Sequence, residues 1–104
     1  MAQFDVYRNP DPGSSKAIPY LLDIQTDLLA GLATRVVVPL IVSGSFAKPA
    51  RCLNPVFNIE DHSVVMSTQE LAGVARSTLG ERVANLASER AAIIAALDLL
   101  ITGI

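Results

Sequence analysis

The chain has 104 residues, a formal net charge of −2 and a single cysteine, Cys52. Its length fits one domain over residues 1–104, and its acidic balance excludes a basic face for nucleic-acid binding. The hydrophobic fraction is 51%, while aromatic residues make up only 5%. So high an apolar fraction in a small protein predicts that part of the surface is covered in a subunit interface.

The first ten residues, MAQFDVYRNP, lack the basic and then apolar pattern of a signal peptide. A lone cysteine forms no disulfide within the chain, which favours a reducing compartment. We therefore expect a cytoplasmic protein that does not enter a membrane. Cys52 itself is interpreted as a small core or surface residue.

Alternating apolar and polar residues predict a first strand over residues 4–7, followed by a turn-rich loop over 9–15. A second strand is predicted over 18–24. Leu28 and Leu29 then lie beside a glycine, so we expect them to be at least partly exposed. They serve either loop packing or contact with a partner.

The most β-branched segment, residues 35–42, predicts the central strand of a sheet. Pro39 within it predicts a bulge or bend, since proline cannot donate a ladder hydrogen bond. Residues 43–54 are interpreted as a long connection or an irregular small sheet.

The second half of the chain predicts a hairpin, one more strand and a short helical turn. The hairpin strands are 55–59 and 63–68, joined by a turn at residues 60–62. A last short strand is expected over 74–79. A capping-box pattern that begins at Thr78 favours a turn of helix over 82–86.

Residues 88–104 carry the longest helical periodicity, and one face forms an apolar stripe predicted to be buried: Ile93, Ile94, Leu97, Leu100 and Ile101. The opposite face is rich in alanine and has no Lys or Arg after Arg90, so we expect something else to cover it. The apolar run is far shorter than the roughly 20 residues that a membrane span requires. Gly103 is placed to end the helix in a left-handed conformation and leave an accessible tip.

Strands first and one helix last predict a mainly β fold: a curved antiparallel sheet of about five strands with the C-terminal helix against its open side. Residues of the types that bind metals or act in catalysis are few. His62 is the only histidine and no cysteine pair exists, so we expect neither a metal site nor a catalytic site. No phosphate-binding glycine loop is present and no cofactor is expected. The sequence favours a protein that acts by binding, not an enzyme.

Several segments together carry a family resemblance: Gln3-Phe4 with Val6-Tyr7, Asp23-Ile24-Gln25-Thr26-Asp27, Arg35-Val36-Val37-Val38-Pro39-Leu40, Gly80-Glu81 with Val83-Ala84, and the final Gly103-Ile104. Over essentially its whole length the chain resembles CcdB, the gyrase-poisoning toxin family of type II toxin–antitoxin systems. The resemblance implies a homodimer of SH3-barrel-like, CcdB/MazF-like subunits, each with a five-stranded antiparallel sheet, a small second sheet and a C-terminal helix.

The resemblance also implies the function and the partners. A CcdB-like toxin has no active site; it binds the DNA gyrase A subunit, thereby trapping the enzyme on cleaved DNA. A CcdA-like antitoxin with a disordered C-terminal segment binds the toxin. The complex then represses its own operon, with the operator DNA contacted only through the antitoxin, and the system serves plasmid or genome maintenance.

Carried over residue by residue, the resemblance gives these gyrase-binding positions: Asp98, Ile101, Thr102, Gly103, Ile104, Leu28 and Leu29. Two depart from the family pattern. Asp98 is an acid where an amide is usual, and Thr102 replaces a tryptophan that stacks on an arginine of gyrase. Asp98 could instead pair with that arginine.

Two alternative functions stay open. A MazF/Kid-like endoribonuclease would draw its catalytic groups from Arg35, Arg51, His62 and Asp23. A non-toxic remnant that only binds antitoxin is the second alternative, because Thr102 replaces the family aromatic residue.

Overall fold

The computed structural model describes residues 1–104 and shows a sheet of seven strands followed by one α-helix. The elements are β1 (Asp5–Arg8), β2 (Tyr20–Asp23), β3 (Thr34–Val42), β4 (Val56–Ile59), β5 (His62–Met66), β6 (Ala72–Ala75), β7 (Arg82–Asn85) and α1 (Arg90–Thr102). Neighbouring strands are antiparallel in the order β4-β5-β3-β2-β1-β7, with β6 paired to β3 off this path. The sheet curls into a half-barrel. The predicted fold class is confirmed.

The predicted central position of β3 is also confirmed. One edge of β3 pairs with β2, and the other pairs first with β6 through residues 34–37 and then with β5 through residues 40–42. Pro39 lies between these two partners, where no ladder donor is required. The strand is unbroken there and keeps one register with β2. At Pro39 the strand therefore changes its pairing partner from β6 to β5, and the predicted bulge is absent.

The helical turn predicted over residues 82–86 is wrong, because this segment is strand β7 and pairs with β1. The preceding Gly80 sits so close to β1 that an added Cβ would lie 2.6 Å from the Arg8 carbonyl oxygen. The Arg8 amide donates to the Glu81 carbonyl at 2.8 Å. A tertiary strand partner therefore overrides the local capping signal. The strand predicted over 74–79 likewise begins earlier, as β6, and continues into the 3₁₀ turn Arg76–Thr78.

The predicted hairpin joins β4 to β5 through a two-residue turn. Glu60 and Asp61 both have positive φ, at 50° and 66°, the conformation that matches the twist of a tight hairpin. Glu60 accepts hydrogen bonds from Tyr20 Oη at 2.8 Å and from Arg8 Nη2 at 2.9 Å. These bonds tie a turn that lacks glycine to β1 and β2.

The helix packs on the core through fewer residues than its periodicity predicts. Only Ile93 and Ala96 are fully buried, and they join apolar side chains from five of the strands. Ile94, Leu97 and Leu100 are half-buried, whereas Ile101 is 72% exposed. The last turn of the helix extends beyond the core, so the predicted burial of Ile101 is wrong. No helix of the structure is long and apolar enough to cross a membrane.

Candidate partner-binding surface

The C-terminal end of α1 is capped and exposed. Gly103 has φ 80°, and its amide donates to the carbonyl oxygens of Asp98 and Leu99, both at 3.1 Å. The predicted left-handed glycine is confirmed. Ile104 follows with 92% of its surface exposed. A defined cap thus holds an apolar residue out in solvent.

Asp98 and Thr102 lie next to this tip on the outward face of the helix. Thr102 Oγ1 donates to the Asp98 backbone carbonyl at 2.7 Å. The Asp98 carboxylate itself makes no hydrogen bond and no ion pair. It is therefore free to accept from a cationic group of a partner. We define the tip patch as residues 98 and 101–104.

The alanine-rich face of the helix is exposed and continues from the tip patch. Ala91, Ala95 and Leu99 are all exposed, Leu99 with 36% of its surface. Two shallow grooves flank this face. The groove nearer the tip encloses about 350 Å³ and is lined by Arg51, Cys52, Ala95, Leu99 and Ile104.

Leu28 and Leu29 lie on a separate 3₁₀ turn, Asp27–Leu29, between β2 and β3. Thr26 Oγ1 accepts from the Leu28 amide at 3.3 Å and caps the turn. Leu28 is 92% exposed and Leu29 is 48% exposed, which confirms their predicted exposure. No hydrogen bond, ion pair or shared groove joins this turn to the tip patch within one chain. The structure therefore gathers five of the seven predicted contact residues at the tip and leaves two apart.

A buried ion pair joins β2 and β3, the strands that precede and follow the turn in sequence. Arg35 Nε donates to Asp23 Oδ2 at 2.8 Å, and neither side chain has any exposed surface. Arg35 Nη2 lies 2.6 Å from the same oxygen, but neither Nη nitrogen has a well-oriented hydrogen bond. Burial raises the pKa of the Asp23 carboxyl, while the hydrogen bond and charge of Arg35 act in the opposite direction.

The four residues considered for an endoribonuclease do not form one site. Asp23 and Arg35 are buried, so a substrate cannot reach them. His62 is exposed at the start of β5, where its Nδ1 lies 3.2 Å from Tyr20 Oη, and Arg51 lies on the loop near the tip. No hydrogen bond or ion pair connects the buried pair to either. No group of three or more His, Cys, Asp or Glu residues is placed to hold a metal ion.

The polar residues that support the Leu28 turn were not identified from the sequence. The backbone amide of Gln3 donates to Asp27 Oδ1 at 2.7 Å, and the side-chain Nε2 of Gln25 donates to the Leu29 carbonyl at 3.0 Å. Both residues belong to segments that carry the family resemblance. Their position in those segments was the available signal that they matter. Their hydrogen-bond partners could not be identified from it, because these are distant in sequence or depend on the fold of the turn.

The sequence model of the CcdB protein family matches residues 3–103. The chain belongs to the CcdB family. The matched region contains the Leu28 turn, the buried ion pair and all of the tip patch except Ile104. Membership of the CcdB family makes the chain a toxin of a toxin–antitoxin system.

Proposed function

We propose that this CcdB-family toxin binds the A subunit of DNA gyrase and poisons the gyrase–DNA cleavage complex. The observation that carries the proposal is the tip patch, where Ile101 and Ile104 stand exposed beside the unpaired carboxylate of Asp98. Full burial of one such side chain contributes about 1.5–3 kcal/mol. The Gly103 cap fixes the backbone, so little order has to be created on binding.

A homodimer is part of this proposal. The exposed face of Ala91, Ala95 and Leu99 supports it, since the two small alanines allow a second surface to approach closely and Leu99 adds apolar area that contact would remove from water. Equilibrium sedimentation at micromolar concentration tests the dimer, and a monomer would contradict it.

A CcdA-like antitoxin is the second proposed partner, and the complex represses its own operon. With a net charge of −2 and no basic face, the toxin leaves the operator contacts to the antitoxin. Both partners place the toxin in the cytoplasm. An operator-binding assay with toxin, antitoxin and complex tests this division of roles; specific binding by the toxin alone would contradict it.

Calorimetric titration of a gyrase A fragment tests the main proposal. Deletion of Gly103 and Ile104 should abolish binding, because it removes the most exposed apolar residue and the cap that presents it. Val56→Ala is the matched control, since Val56 is 54% exposed on β4 and lies outside the tip patch. The control should bind as the wild type does, whereas unchanged affinity of the truncated chain would exclude the tip.

Induced expression separates the toxin from a remnant that only binds antitoxin. We expect growth arrest in a sensitive host and none in a host with resistant gyrase. Arrest in both hosts would point to another target.

A further inference from the structure

Gln25 connects the central strand to the turn that carries Leu28. It is 8% exposed, and its backbone amide and both polar groups of its side chain are hydrogen-bonded. Its backbone amide donates to Asp23 Oδ1. In its side chain, Oε1 accepts from the Val36 backbone amide and Nε2 donates to the Leu29 carbonyl; each of the three bonds is 3.0 Å long. The side chain thus links β3 to the exposed turn, and the backbone amide of the same residue is bonded to the buried Asp23.

Apart from Gln25, the turn is held locally by the Thr26 cap and by short-range backbone hydrogen bonds. A 3₁₀ segment of three residues is weak by itself, since its hydrogen-bond geometry is poor. The 92% exposed side chain of Leu28 packs against almost nothing in the chain. Leu29 is 48% exposed, so packing gives the turn limited support and its shape also depends on hydrogen bonds.

Gln3, Gln25 and Arg76 each donate a hydrogen bond to the turn, and the bond from Gln25 is the best protected from solvent. Gln3 donates to Asp27 at 2.7 Å and Arg76 Nη1 donates to the Ala30 carbonyl at 3.2 Å, but both bonds are exposed to solvent. Water competes with such bonds and reduces their net contribution. The Gln25–Leu29 bond is part-buried, and loss of the side-chain amide leaves the Leu29 carbonyl with only the Leu32 backbone amide, at 3.1 Å, as donor.

We propose that Gln25 is a positioning residue for gyrase recognition: its side-chain amide holds the 26–30 turn so that Leu28 is presented in one arrangement before the partner arrives. This inference rests on the proposed function. Gln25 acts through Leu28 and touches no partner itself. Because Gln25 orders the turn in the free protein, binding does not include the entropic cost of ordering it.

Gln25→Met tests the inference, because methionine has similar length and volume but makes neither side-chain hydrogen bond. Gln25→Glu is a second variant, which keeps the acceptor for Val36 and loses the donor to Leu29. Asn9→Asp is the matched control: Asn9 Nδ2 donates to Ser14 Oγ and the Ile18 carbonyl, so it supports a different loop. Each is compared by calorimetric titration of a gyrase A fragment and by hydrogen exchange of the folded protein.

Both Gln25 variants should weaken gyrase binding roughly fivefold to tenfold, the range expected for losing the order of one or two side chains. The Leu29 and Ala30 amides, bonded to the Thr26 and Asp27 carbonyls, should exchange faster. Exchange in the core strand β5 should not change, which excludes global unfolding. Asn9→Asp should leave affinity unchanged.

A double-mutant cycle with Leu28→Ala separates positioning from a general structural role. If Gln25 acts through Leu28, Gln25→Met should have almost no further effect on affinity in the Leu28→Ala background. Equal losses in both backgrounds would overturn the inference. The inference would also be overturned if Gln25→Met folded and bound gyrase with wild-type affinity while Leu28→Ala bound weakly. In that case the proposed function would still stand. If Leu28→Ala alone binds normally, the turn is not a gyrase contact, and that part of the proposed function fails with the inference.

Discussion

Arg35 and Asp23 form an ion pair across β3 and β2 that is wholly removed from solvent, with Nε 2.8 Å from Oδ2. Asp23 also accepts the Gln25 amide through its other oxygen at 3.0 Å. Arg35 has no second anion as a hydrogen-bond partner. The neutrality of this part of the interior therefore depends on one carboxylate, which also anchors the segment leading to the Leu28 turn.

Removal of Arg35 alone should be strongly destabilising. Arg35→Met leaves the Asp23 carboxylate buried without its cation, and breaking such a pair costs about 3–5 kcal/mol. The double variant Arg35→Met with Asp23→Asn should recover much of this loss, because no charge is then left unpaired. Urea unfolding measures both.

Arg8→Met is the control for that comparison. Arg8 pairs with Glu60 at 2.9 Å at the surface, where both side chains are exposed to water. Loss of an exposed pair changes the free energy of unfolding little, because water screens both charges. If Arg35→Met were no more costly than Arg8→Met, the buried pair would not anchor this part of the interior.

Restoring the family aromatic residue should strengthen gyrase binding. Thr102 is exposed in the last turn of α1, so Thr102→Trp adds a ring without disturbing the core. If, as the family resemblance implies, the ring stacks on an arginine of gyrase, the contact should contribute about 0.5–2 kcal/mol, which corresponds to at most roughly thirtyfold in affinity, with about tenfold as the central expectation. Calorimetric titration measures the change. Val56→Trp, which adds the same ring at another exposed position on β4, should not tighten binding.

Gly103→Ala should cost about 1 kcal/mol of stability, because an L-residue at φ 80° is strained even though no atom lies within 4 Å of the added Cβ. Gly44→Ala is the matched control, since its added Cβ also meets nothing within 4 Å and its φ is not left-handed. That control should be neutral or slightly stabilising. Thermal unfolding of both variants decides, and equal melting temperatures would contradict the strained cap.

Tyrosine ionisation should destabilise the protein at high pH. Burial, followed by the charge and hydrogen bond of Asp5, raises the pKa of Tyr7 to about 12. The unfolded chain loses this proton near pH 10, whereas the folded protein retains it. Between these values the folded state binds more protons, so stability falls as pH rises.

Tyr7→Phe should therefore flatten the alkaline loss of stability between about pH 10 and 12. Urea unfolding across this range measures the slope. Tyr20, the only other tyrosine, also has a raised pKa through burial and its hydrogen bond to Glu60, so some slope should remain. An unchanged slope in Tyr7→Phe would show that Tyr7 does not ionise as its burial implies.

Local sequence patterns determined the elements whose geometry is local. The β-branched residues 35–42 specify a strand, and Thr102-Gly103-Ile104 specifies a left-handed cap, since glycine alone adopts φ 80° at little cost. The exposure of Leu28 and Leu29 followed from their position beside Gly31. The family resemblance was also present in the sequence, because it depends on residue identities at fixed spacing.

Contacts between distant segments were decided only by the tertiary structure. Residues 82–85 form a strand rather than a helical turn because β1 offers an open edge. Ile101 is exposed, despite its place in the periodic stripe, because the core ends before the last turn of the helix. Gln25 accepts a hydrogen bond from the Val36 amide, 11 positions away, and donates to the Leu29 carbonyl in the turn. Periodicity records which residues share a face, but only the packed chain determines where that face ends and which polar groups meet beneath it.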